Sequence, residues 1–78
     1  MRKIHEIAQE IKGCWLKPYF GAVPYLDAMM NLETLEDKYG ADDARGIVLY
    51  FLSNATTWRG DTARRVKEEL NVMLKRAK

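Results

Sequence analysis

Apolar residues recur with a helical period at both ends of this chain and run together without a period in its middle. Near the start, Ile4, Ile7, Ala8, Ile11, Cys14 and Trp15 fall at offsets of three and four, with Lys3, Glu6, Glu10 and Lys17 on the opposite side. That is one stripe of an amphipathic helix over residues 2–17. It ends by Lys17, because Pro18 disfavours the α conformation in the residue before it. Cys14, on the stripe, reads as a small core residue. Near the other end, Ala63, Val66, Leu70, Met73, Leu74 and Ala77 make a second stripe. Asp61, a good N-cap type, stands at its start.

The middle is harder to read. Gly46-Ile47-Val48-Leu49-Tyr50-Phe51-Leu52 fits either a buried helix or a two-faced strand, and periodicity cannot decide between them. Length and flanks decide. Gly40 is a helix stop, Asp42 or Asp43 offers a cap for a new start, and no turn signal comes before Thr56. A lone strand would also leave its backbone groups unpaired, and no second β-rich run is present. The reading is a helix over residues 43–55, apolar on every side and so needing cover on every side.

Between the first helix and this one, Tyr19-Phe20-Gly21 forms an aromatic connector. Pro24 suits the first turn of a second helix presenting Tyr25, Leu26, Met29 and Met30 to the core. An acidic helix over about 33–39 adds Leu35 and Tyr39 and stops at Gly40. The pattern predicts an all-α fold, a compact bundle of four to five short helices around a central buried helix at 43–55. Residues 1–78 form a single helical domain.

Composition narrows this without changing it. The chain has 78 residues, 47% apolar and 31% charged, values typical of a soluble globular protein. A chain of this size buries only about 60–65% of the surface its unfolded form exposes. No apolar stretch approaches the ~20 residues needed to span a bilayer, so no membrane association is expected. The positive N-terminus lacks the apolar segment of a signal peptide, so the expected location is cytoplasmic. Cys14 is the only cysteine, which excludes an internal disulfide and a cysteine-based zinc site.

Charge is unevenly placed. Residues 27–43 hold Asp27, Glu33, Glu36, Asp37, Asp42 and Asp43 against Lys38 alone. Residues 59–78 hold Arg59, Arg64, Arg65, Lys67, Lys75, Arg76 and Lys78 against Asp61, Glu68 and Glu69. The acidic middle and the basic end either attract each other within the fold or face different partners.

Catalysis finds little support. His5 and Cys14, the sole histidine and cysteine, lie about 13 Å apart along one helix, too far for a nucleophile–base pair. Glu33, Glu36 and Asp37 have no calcium-loop spacing and read as a solvated helix face. The glycines form no phosphate-cradling loop. Arg59-Gly60-Asp61 matches the tripeptide of integrin ligands, yet a turn glycine and a capping aspartate account for it. The chain is therefore expected to be non-enzymatic, with no catalytic, metal or cofactor residues.

The phrases GAVPYLDAM (21–29) and IVLYFLSNATTWRGDTARRVKEEL (47–70) resemble small hypothetical proteins encoded by prophages and other mobile elements of low-GC Gram-positive bacteria. The resemblance implies a cytoplasmic accessory protein of a mobile element and carries no functional residues with it.

Two binding modes remain. In the leading one, a protein partner, such as a host or defence factor, docks on aromatics beside the loops: Tyr19, Phe20 and Trp58. A homodimer seam is a variant of the same idea. In the alternative, helices 43–55 and 61–76 act as a helix-turn-helix DNA-binding regulator through residues 59–67. Thr62, Arg64, Arg65 and Lys67 would then face a groove, and Arg59 the phosphates. Glu68 and Glu69 oppose that reading, and the connecting turn is longer than usual. The two separate structurally. DNA binding needs Arg64 and Arg65 on one positive face; docking needs an exposed apolar patch near Tyr19, Phe20 and Trp58.

Overall fold

Helix α1 (Ile4–Cys14) forms on the first stripe and buries Ile4, Ile7, Ala8 and Ile11 in the computed structural model, which describes residues 2–39 and 42–76. A helix start leaves its first N–H groups without internal partners. Here the Lys3 N–H donates to the Glu6 carboxylate at 2.8 Å. The N–H groups of Ile4 and His5 donate to the carbonyls of Glu33 and Leu32, each at 2.9 Å. The orphan donors of α1 thus anchor the segment at 32–33.

The helix stops earlier than Lys17. Trp15 caps it by donating its N–H to the Ile11 carbonyl at 2.8 Å, with its own backbone at φ −108°, ψ 87°. That break turns Trp15 into the core and leaves Cys14 exposed, so Cys14 is not the core residue its place on the stripe suggested. The aromatic connector follows as a tight turn, in which Ala22 N–H donates to the Tyr19 carbonyl at 2.8 Å. Helix α2 (Val23–Met29) then carries Pro24 in its first turn and buries Leu26, Ala28 and Met29.

No helix forms over 33–39. The Asp37 carboxylate accepts the N–H groups of Glu33 (2.7 Å) and Thr34 (3.3 Å), closing a turn. The Glu33 carbonyl is meanwhile committed to Ile4. In a helix the Glu33 carbonyl would have accepted the Asp37 N–H, so its use by α1 removes that bond. The Asp37 side chain closes the turn in the manner of short polar residues. The N–H groups of Glu33 and Thr34 hold the Asp37 carboxyl below its ordinary pKa. The chain continues as a two-residue antiparallel ladder, β1 (Lys38–Tyr39) against β2 (Asp42–Asp43), with Lys38 opposite Asp43. Gly40, Ala77 and Lys78 lie outside the described residues, as does the side chain of Tyr39.

Helix α3 (Ala44–Ser53) starts where the sequence placed it, and Asp43 is the cap: its carboxylate accepts the Gly46 N–H at 2.7 Å. Helix α4 (Asp61–Arg76) buries Ala63, Val66, Leu70, Met73 and Leu74. Asp61 is its first residue and not its cap. Gly60 holds that place, at φ +114°, a region that excludes most side chains, and its carbonyl accepts the Arg64 N–H at 3.0 Å.

The architecture is all-helical apart from the short ladder. α2 lies between α1 and α3, and α4 packs on both α1 and α3. One buried cluster joins all four helices, and no charged or polar residue is buried within it among the described residues. The radius of gyration, 11.3 Å, matches the ~11.5 Å expected of a compact chain of this length.

The prediction of an all-round buried helix needs correction. α3 buries Ala44, Ile47, Val48 and Phe51, but Leu49 is 48% exposed and Tyr50 59%. α2 and α4 flank it, and among the described residues no further helix covers its remaining face. Phe51→Ala is therefore expected to cost about 3–5 kcal/mol, whereas Tyr50→Ala costs no more than about 1.5 kcal/mol, the worth of an aromatic pair. Urea denaturation of both variants checks this; equal losses would mean that α3 is covered on both faces.

Candidate functional site

The open face of α3 joins a second exposed feature. The Tyr50 ring stacks on Tyr25 of α2, centroids 5.4 Å apart and planes 25° from parallel. Beside α2, Tyr19 and Phe20 pack on each other at 4.8 Å, and Phe20 remains 79% exposed. Gly21 links the two pairs. A Cβ placed there would fall 2.6 Å from the Tyr19 ring and 2.9 Å from the Asn54 side-chain oxygen, so the Tyr19 ring and Asn54 both lie over the bare glycine. Asn54 in turn donates its amide to the Tyr50 carbonyl at 2.8 Å. Tyr19 with Phe20 and Tyr25 with Tyr50 thus form two aromatic pairs at the surface, on neighbouring elements, with Asn54 between them.

Trp58, grouped with Tyr19 and Phe20 by sequence, is not on this surface. It is only 5% exposed and stacks on Trp15, centroids 5.6 Å apart and planes 14° from parallel. Trp15 also meets Phe51 edge-on at 6.3 Å. An indole is large and apolar, and the seven-residue α3–α4 connection is long enough to fold it inward. Tyr25 and Tyr50 make up the shortfall. The sequence signal for Tyr50 was present: Ala44, Ile47, Val48 and Phe51 share one helical face, which leaves Leu49 and Tyr50 off it.

The four cationic nucleic-acid candidates divide into two groups. Arg65 turns toward α1 and forms an ion pair with Glu10. Arg59, Arg64 and Lys67 instead line a hollow of about 310 Å³ with Trp58, Gly60 and Ala63. Lys67 reaches inward, donating to the Trp58 carbonyl at 2.6 Å with its ammonium 6.0 Å from the indole centroid. Burial, and then the charge of Arg59, push the Lys67 pKa down. Arg64 is well exposed, with Asp61 3.9 Å away. Thr62 is half-buried in the first turn of α4. Arg64 and Arg65 therefore do not work on one continuous positive face.

The pair formed by Arg65 belongs to a network. Glu10 also lies 2.8 Å from an Arg2 guanidinium nitrogen, and Arg2 donates two hydrogen bonds to Glu69, at 3.1 and 2.6 Å. These four residues connect the start of the chain and α1 to α4. Hydrogen bonds from Arg2 and then Arg65 hold the Glu10 carboxyl below its ordinary range, while the bond to Glu69 raises the Arg2 pKa.

A second hollow, about 300 Å³, lies between Leu35 and Met73 and is bordered by both signs of charge, Arg2, Lys3 and Arg76 with Glu33 and Glu36. Among the described residues, no group of three or more His, Cys, Asp or Glu side chains is placed to hold a metal ion. No helix among them is long and apolar enough to cross a membrane. No known protein family, curated protein or solved structure matches this chain.

A carboxyl whose pKa is lowered by folding stabilises the fold above its unfolded pKa of about 4.3 and loses that contribution as pH falls through the lowered value. Glu10→Gln is expected to cost about 1 kcal/mol at pH 7, or roughly 4–8 °C in Tm. The cost should shrink as the pH is taken below 4. Thermal unfolding by circular dichroism between neutral and acid pH checks both parts.

Proposed function

We propose that this chain is a small, non-enzymatic accessory protein of the mobile-element kind, which works by docking on another protein through its aromatic surface. The observation that carries the reading is the pair of exposed aromatic contacts, Tyr19 with Phe20 and Tyr25 with Tyr50, with Phe20 and Tyr50 more than half exposed. Tyrosine and phenylalanine are enriched where proteins meet, because they bury much area at little cost in side-chain freedom. A fold of this size has few large apolar residues to spare, so leaving four aromatic rings at one surface exposes groups that would otherwise add to the core. The expected occupant is an apolar segment of a different protein, a host or defence factor in the setting the resemblance implies. Leu49, next to Tyr50 and 48% exposed, extends the apolar area along α3.

A helix-turn-helix regulator is the second reading. The cationic hollow at Arg59, Arg64 and Lys67 favours it, while the pairing of Arg65 with Glu10 and the nearness of Asp61 to Arg64 weigh against it.

A photo-crosslinking side chain placed at Phe20 in living cells tests the leading reading. A discrete adduct is expected, and the purified partner should bind the Phe20→Ser/Tyr50→Ser variant at least about tenfold more weakly than wild type. Because both positions are exposed, the variant should keep its helical circular dichroism. A self-adduct would redirect the surface to a homodimer. Equal binding by wild type and variant would exclude the surface altogether.

A further inference from the structure

The hollow at the α3–α4 junction has a chemistry that protein docking does not use. We infer that Arg59, Arg64 and Lys67 form a binding site for a phosphate group. Three cationic side chains border one concavity of about 310 Å³, and no carboxylate is among its lining residues. Among the described residues, neither Arg59 nor Lys67 has a carboxylate oxygen within 4.0 Å. Asp61 touches only Arg64, at 3.9 Å and fully exposed, where solvent screens such a pair heavily. By contrast, Arg2, Lys3, Lys12 and Arg65 each have a carboxylate partner within that distance. The fold neutralises those cations and gathers these three around a space.

The three are held differently, in ways that suit a tetrahedral oxyanion. Lys67 is fixed by its bond to the Trp58 carbonyl, which leaves two of its three ammonium protons for other acceptors. Trp58 is itself fixed by Trp15, so the floor of the hollow is rigid. Arg59 and Arg64 stand at the rim, exposed, with planar forks able to grip two phosphate oxygens each. Gly60, between them in space and sequence, brings no side chain to the space, and a Cβ there would meet nothing within 4 Å. Burial and the neighbouring Arg59 already lower the Lys67 pKa, an electrostatic penalty that a bound anion would reverse.

Such a phosphate has two sources, a small phosphate-bearing molecule or the backbone of a nucleic acid, and one experiment separates them. Heteronuclear NMR of the full chain is followed during titration with inorganic phosphate, with adenosine monophosphate and with a short DNA duplex, each against sodium chloride at matched ionic strength. The expected result is a saturable shift of the residue 59–67 amides and of the Lys67 Cε–Hε signal with phosphate and the monophosphate. The Lys67 titration midpoint should rise when phosphate is bound. Arg59→Gln/Arg64→Gln, at two exposed positions, should weaken binding by about tenfold or more, one factor of ten being worth 1.4 kcal/mol. Lys75→Gln, which removes a charge elsewhere on α4, should not.

Shifts at these residues with the duplex alone would keep the phosphate chemistry and assign it to nucleic acid. No shift beyond the chloride control, shifts confined to other residues, or unchanged binding by the double variant would overturn the inference. The Phe20→Ser/Tyr50→Ser variant should bind phosphate as wild type does, so failure of the docking proposal would leave this one standing.

Discussion

Trp58 stacked on Trp15, with Phe51 edge-on to Trp15, is the contact on which the rest of this small fold depends. The three rings come from the end of α1, the last turn of α3 and the α3–α4 connection, so they tie the first helix to a segment far from it in sequence. Large aromatic side chains bury some 150–250 Å² each, and pairs in stacked or edge geometry add about 0.5–1.5 kcal/mol beyond that area. For a chain expected to have only about 4–12 kcal/mol of net stability, one such cluster is a substantial share. It also sets geometry. With Trp58 held inward, its carbonyl faces Lys67, and Gly60 must take a positive φ for the chain to enter α4.

The two candidate surfaces arise from that arrangement in opposite ways. The cationic hollow exists because Trp58 is buried: its carbonyl fixes Lys67 beneath Arg59 and Arg64. The aromatic surface exists because the core is filled without Tyr19, Phe20 and Tyr50. Phe51, Trp15 and Trp58 fill the core, and among the described residues no helix covers the opposite face of α3. Surplus apolar area on one side and unpaired positive charge on another are both costs to an isolated fold. Under the two proposals, each would be relieved by a different kind of partner, one apolar and one anionic.

Charge within the fold follows a different rule. Arg2, Glu10, Arg65 and Glu69 form ion pairs with one another across α1 and α4. In the acidic 33–37 segment, Asp37 binds backbone N–H groups and the Glu33 carboxylate lies 3.4 Å from Lys3. Charges that looked free for partners in the sequence are in part structural, and Arg65 is the plainest case.

The helical class, the positions of α1, α3 and α4 within a few residues, an aspartate cap at 42 or 43 and most of the core are legible in the linear pattern. These rest on short-range periodicity and on side chains acting within one turn, which a linear pattern records. Tertiary structure alone decided the rest. The 33–39 segment did not become a helix because its backbone groups found partners in Asp37 and α1. Cys14 stayed outside because the chain breaks at Trp15. Trp58 went inward because a ring distant in sequence was there to receive it. The exposure of Tyr50 depended on how many helices were left to cover α3. Each outcome was a competition for the same hydrogen-bonding group or the same apolar space, settled by residues far away along the chain.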